Sequence, residues 1–229
     1  MGSLTREYVL LALAEKMNLF SVVRINNYVA TVAAGICELE QMKVIELEQI
    51  QSDNHVTLLS GDMKITVKTE LPSDLYYLET MYTIIMKSEK KTVSDVLINM
   101  QFDFKSGYSS KYITNLIDSL KTENLVKEEK KKGFLGIEKV EYDVDQGSIK
   151  QMTQSMLLST LDDTLNEQDS LLLYLLMKTD MLACFYNAQE SKLIKDKLQG
   201  FQNNNALKEV IQLMDELLIM LFAMISFIC

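Results

Sequence analysis

Turn-forming residues are scarce, with one proline and eight glycines in 229 residues. Sandwiches and barrels depend on frequent turns of that chemistry, so an all-β fold is excluded and the long periodic segments point to helices. Tryptophan is absent, and histidine occurs once, as His55 in the polar stretch Gln51-Ser52-Asp53-Asn54-His55. A Ser/His/Asp or Cys/His triad would have to recruit that residue from a loop. His-Glu-x-x-His, Gly-Lys-Ser/Thr, Gly-x-Gly-x-x-Gly and paired-cysteine patterns are all missing, so no catalytic residue, metal site or cofactor is predicted. Asp162-Asp163 is expected at a helix start, where carboxylates complement the dipole, and not on a metal.

The three cysteines, Cys37, Cys184 and Cys229, lack metal-ligand spacing. An odd number without a signal peptide suits reduced thiols in a cytoplasmic setting, packed as small apolar residues. A basic excess is missing as well: net charge is −9 and the isoelectric point about 4.8. Broad nucleic-acid binding, which draws on clustered Lys and Arg, is therefore excluded, and an anionic partner has to meet a local patch. The apolar run from Leu217 to Cys229 falls short of the roughly 20 residues a spanning helix needs, and it reads as the end of a buried helix.

Hydrophobic residues make up 48% of the chain, enough for a sizeable core. Helical periodicity is clear in Tyr8, Val9, Leu11, Leu13 and Phe20, with Thr5 as the expected cap, and in Val29, Val32, Ala33 and Ile36. Lys43 to Glu48 and Met63 to Val67 alternate as strands do. Pro72-Ser73-Asp74 and Thr92 mark helix starts, and Ser109 or Ser110 should cap a helix whose apolar face holds Tyr112, Leu116, Ile117 and Leu120. Lys130-Lys131-Lys132-Gly133-Phe134-Leu135-Gly136 leads into Val140, Tyr142 and Val144, a hairpin with an apolar tip. From Ser148 the pattern is helical, and Leu171 to Leu176 is apolar on nearly every side, as in a central helix. No repeat divides the chain. The expectation is a mainly α fold, one domain over 1–229, with a small β-hairpin and a few short strands.

The order of these motifs resembles the Golgi phosphoprotein 3 family of Golgi membrane adaptors. The signals are Leu4-Thr5-Arg6-Glu7-Tyr8, Glu38-Leu39 followed by Lys43-Val44-Ile45-Glu46-Leu47, Pro72-Ser73-Asp74, Leu120 to Val126, and Leu171 to Asp180. The resemblance implies a helical adaptor fold, self-association through the hairpin and binding of phosphatidylinositol 4-phosphate through a tryptophan and arginines. Val23 falls at the tryptophan position, and Val32, Ser110 and Ile113 fall at three arginine positions. A phosphate monoester wants charge-assisted donors, which Val and Ile cannot offer, so that lipid site is not expected here. The basic strip preceding the family domain is also missing from this sequence.

Arg24 and Lys111 lie near the aligned pocket and are the candidate headgroup contacts. In the hairpin, Phe134 and Leu135 form a sticky tip for a second copy or a membrane interface, while the lysines keep it soluble or meet anionic headgroups. The predicted protein is thus a non-catalytic cytoplasmic adaptor or scaffold, homo-oligomeric through the hairpin and peripheral to a membrane. The alternative is a winged-helix-like DNA-binding regulator spanning Thr92 to Val144, with one cation in its recognition segment Ser109 to Asn115.

Overall fold

The structure is a computed structural model, and it describes residues 2–16, 25–50, 62–102, 107–132, 138–201, 211–212 and 214–219. Helix α1 (Leu4–Ala14) begins at Ser3, whose hydroxyl accepts the Arg6 amide at 3.2 Å. The expected cap, Thr5, is instead fully buried as the second residue of the helix, because Ser3 sits at the position where the chain is still extended. Helix α2 (Ile25–Gln41) packs against α1 and buries every residue from Asn27 to Leu39, most of them apolar or small. Gly35 makes this possible: a Cβ there would overlap the Tyr112 hydroxyl and the Met81 methyl group of the next layer.

Strands β1 (Ile45–Gln49) and β2 (Met63–Val67) form an antiparallel pair in the register Ile45 to Val67. A 3-10 segment (Ser73–Leu78) follows Pro72 and runs into α3 (Glu79–Lys87), so the helix expected directly after the proline starts later than the proline suggests. Helix α4 (Val93–Phe102) begins at Thr92, whose hydroxyl accepts the Asp95 amide as expected. Helix α5 (Tyr108–Thr122) is entered through Gly107 at φ +63°, which replaces Ser109 and Ser110 as its cap. Glycine has no side-chain oxygen to offer, so no side-chain cap closes this helix.

Strands β3 (Val126–Lys132) and β4 (Glu138–Val144) make the second antiparallel pair, with Val126 opposite Val144. Asp145 caps α6 (Gln146–Leu161), and Asn166 caps α7 (Glu167–Lys178). Asp162 and Asp163 therefore end α6 rather than start a helix, with Asp163 in the left-handed region at φ 54°. Helix α7 is central as expected, with Leu171 through Leu176 all buried. The apolar pattern continues to Leu182, but the chain turns at Asp180 and resumes as α8 (Leu182–Phe185) and α9 (Ala188–Phe201).

One hydrophobic cluster takes residues from every helix of this series and from all four strands, giving a single mainly α domain. Residues 214–219 are helical and bury Met214, Leu217 and Leu218, so the start of the final apolar run is a buried helix; residues 220–229 lie outside the described part. Among the described residues no helix is long and apolar enough to cross a membrane.

Candidate functional site

The hairpin takes its geometry from strand alternation. Val126 and Val144 at its base are buried, Glu128 and Tyr142 follow on the same face, and Lys130 and Val140 come next. Lys121 of α5 reaches this face, donating to Glu128 at 2.6 Å with its ammonium 5.8 Å from the Tyr142 ring. Past that clasp the body no longer covers the strands: Val140 is 43% exposed. Apolar character thus continues along the inner face after its covering has ended.

The opposite face is a solvated lattice of charge. Lys131 donates to Glu141 at 2.7 Å and pairs with Glu129 at 3.3 Å. These two hydrogen-bonded carboxylates, Glu141 first, hold its ammonium above the ordinary lysine range. One of the three consecutive lysines is therefore already neutralised within the hairpin, which weakens the pull of this strip on an anionic surface. Gly133, Phe134, Leu135 and Gly136 lie outside the described residues, as do the side chains of Lys132 and Lys139.

The positions aligned with the family's lipid contacts fall in different settings. Val32 and Ile113 are fully buried in the common core, Ser110 is exposed on α5, and Val23 lies outside the described residues. Two of the aligned positions are thus core packing with no route to a solvated phosphate. Lys111 is exposed on the first turns of α5, its own amide already donating to the Gly107 carbonyl at 2.9 Å. Lys87 adds a second cation at this helix start, 3.4 Å from the Tyr108 hydroxyl. Arg24 lies outside the described residues, so its pairing with Lys111 is not visible, and His55 is likewise outside. Among the described residues no cluster of ligands could hold a metal ion.

The sequence reading missed a buried carboxylate centre. Glu38, 6% exposed near the end of α2, accepts from the Tyr77 hydroxyl at 2.6 Å, the Thr5 amide at 3.0 Å and the Ser3 hydroxyl at 3.1 Å. It caps α1 from another helix, satisfying an amide that the Ser3 side chain does not reach. Burial, then the Glu38 charge, keep the Tyr77 phenol protonated well above its usual range. Arg6 closes the cluster, stacking 5.4 Å from the Tyr77 ring centre and pairing with Glu123 at 2.5 Å. The signal was a glutamate inside the apolar stretch Gly35-Ile36-Cys37-Glu38-Leu39. The Glu38 carboxylate is engaged on both oxygens, while the Thr5 hydroxyl and the Arg6 Nε are buried without a hydrogen-bond partner, and the cluster acts as a structural clasp joining α1, α2, the 3-10 segment and the end of α5.

An α-helical body with a clasped polar interior and a charge-laced β-hairpin defines the class: a mainly α protein with two small antiparallel strand pairs. The chain belongs to the Golgi phosphoprotein 3 (GPP34) family, whose model matches residues 4–217. The same residues that carried the resemblance account for the fold: Thr5, Arg6 and Glu38 build the clasp, and Leu171 to Leu176 build the central helix. A comparison with curated proteins gave no match.

Proposed function

We propose that this protein is a non-catalytic adaptor or scaffold of the Golgi phosphoprotein 3 type, and that the β3–β4 hairpin is its contact element. The observation that carries this reading is the inner hairpin face, whose row Val144, Tyr142, Val140 passes from buried to half-buried to exposed. A second copy covering that face would bury apolar surface at about 25 cal/mol per Å². Contact with an anionic membrane is a weaker partner chemistry, because Lys131 is engaged by Glu129 and Glu141. Specific recognition of phosphatidylinositol 4-phosphate is not part of the proposal, since Val32 and Ile113 are core residues. DNA binding is disfavoured by the outward face of α5, which presents Ser110, Lys111, Thr114 and Asp118.

Deleting residues 131–136 tests the reading by light scattering. A lower mass than the parent supports it, and an unchanged mass rejects hairpin self-association. Flotation with vesicles carrying phosphatidylinositol 4-phosphate should equal flotation with phosphatidylserine vesicles of the same charge. A clear preference for the phosphoinositide would restore the family's lipid site.

A further inference from the structure

Helix α6 stands apart from the other helices of this acidic protein. Its sixteen residues include no Asp or Glu, whereas every other described helix of nine residues or more has at least one. Its outward face is nevertheless open to solvent. Gly147, Lys150, Gln151, Gln154 and Ser155 are exposed, and Leu158 and Leu161 are 59% and 55% exposed. The first six of these residues line a shallow depression on the helix surface.

We propose that this face docks a second copy of the chain, with two α6 helices antiparallel across a twofold axis at Gln154. Three features favour that occupant. First, each copy carries a net charge of −9, so two copies approach with least repulsion through a face whose helical residues hold no carboxylate, Asp145 and Asp162 standing only at its two ends. Second, the polar groups at the centre are amides and a hydroxyl, which both donate and accept. Gln154 can therefore pair with its own image across an axis, as a Lys or Glu cannot. Third, large and small residues alternate about that centre. Gly147 and Leu161 each lie seven residues from Gln154, and Lys150 and Leu158 each lie four. An antiparallel pair sets each Leu161 over the gap left by the other copy's Gly147, and each Leu158 along the aliphatic stem of the other copy's Lys150. A helix of this length is about 24 Å long, which makes the contact modest and the dimer concentration-dependent.

The surface does not involve the hairpin, so the two proposals fail separately. In the chain lacking residues 131–136, where the hairpin contact is removed, sedimentation equilibrium over a concentration series should show the mass rising from that of one copy towards twice that value. In the same background the Leu158→Glu/Leu161→Glu variant, altered only at exposed positions, should stay monomeric with an unchanged circular dichroism spectrum. In a chain with Cys184→Ser and Cys229→Ser, Gln154→Cys should cross-link to its own image under mild oxidation, while Gln189→Cys on α9 should not. A monomeric mass at every concentration, a dimer undiminished by the two glutamates, or no cross-link at position 154 overturns the proposal. So does an effect of the glutamates on vesicle flotation alone, which would assign the face to a lipid surface.

Discussion

Glu38 shows how one residue can settle where three elements meet. Its carboxylate takes hydrogen bonds from Ser3, Thr5 and Tyr77 in a site almost closed to water. Removing it leaves a helix-start amide and a phenol buried without an acceptor, and each such group costs about 1–3 kcal/mol. Glu38→Ala should therefore lower the urea unfolding free energy by roughly 2–4 kcal/mol. Glu38→Gln, which keeps one oxygen acceptor, should lose less. Equal, small losses in both would show that the clasp is dispensable. Periodicity could not foresee this role, because it sorts residues into apolar and polar faces and reads a buried glutamate as an interruption. The same limit explains Thr5: its sequence context is that of a cap, and only the extended backbone at Ser3 identifies the residue that performs the task.

At the scale of the element, the helix ends are unusual for their lack of glycine. Lys43, Asn124 and Asp180 all follow helices in the left-handed region, at φ near 58° to 59°. Each occupies a Schellman turn. The Val44 amide bonds to Leu39, Leu125 to Leu120 and Met181 to Leu176, with the bonds from Lys43, Asn124 and Asp180 to Glu40, Lys121 and Met177 inside them. In two of them, Val44 with Leu39 and Met181 with Leu176, both partners of the apolar contact beside the turn are buried. A side chain in this region costs about 1 kcal/mol relative to glycine. Lys43→Gly and Asp180→Gly should each raise the urea midpoint by an amount equivalent to about 0.5–1 kcal/mol, with Asn124→Gly giving less because Asn tolerates the conformation. Destabilisation by both substitutions would refute the assignment. Without glycine these ends are nearly silent in the sequence, and for that reason Leu171 to Leu182 reads as one helix although the chain turns at Asp180.

The last described helix is held to α7 by Asp215, which accepts from the Tyr174 hydroxyl at 2.7 Å and pairs with Lys178 at 2.6 Å. Burial pushes the Asp215 carboxyl up, but the hydrogen bonds from Lys178 and Tyr174 outweigh it and hold the group below its ordinary value. A carboxyl lowered by folding contributes stability above its unfolded pKa of about 4 and loses it as pH falls through the folded value. Parent and Asp215→Asn should therefore differ in melting temperature at neutral pH and converge as the solution is acidified below about pH 4. A difference that persists unchanged in acid would remove this ion pair as the cause.

For the whole molecule, the dominant quantity is a net charge of −9 set against a core that joins every layer. Copies of such a protein repel over a Debye length of about 30 Å at 0.01 M salt and about 8 Å at 0.15 M. Self-association through the α6 face or the inner hairpin face should strengthen as salt rises over that range, whereas docking on anionic vesicles through lysines should weaken. Sedimentation and flotation run across the same salt series would read the two trends. Association that falls with salt would point to charge pairing between copies and away from both faces.

The sequence by itself determined the class of fold, the central position of α7, the β3–β4 hairpin, the two short strands before Pro72 and family membership. Those depend on the period of apolar residues and on motif order, which are properties of the chain. It also supplied the expectation that the family's phosphoinositide contacts are not kept, because side-chain chemistry at the aligned positions is visible without coordinates. Only the tertiary structure decided that Val32 and Ile113 are core, that Glu38 is a clasp, and that the hairpin outruns the body beyond Tyr142. It alone singled out the α6 face as well. Burial is a relation between segments far apart in the chain, and a leucine in the sequence does not show whether a neighbour will arrive to cover it.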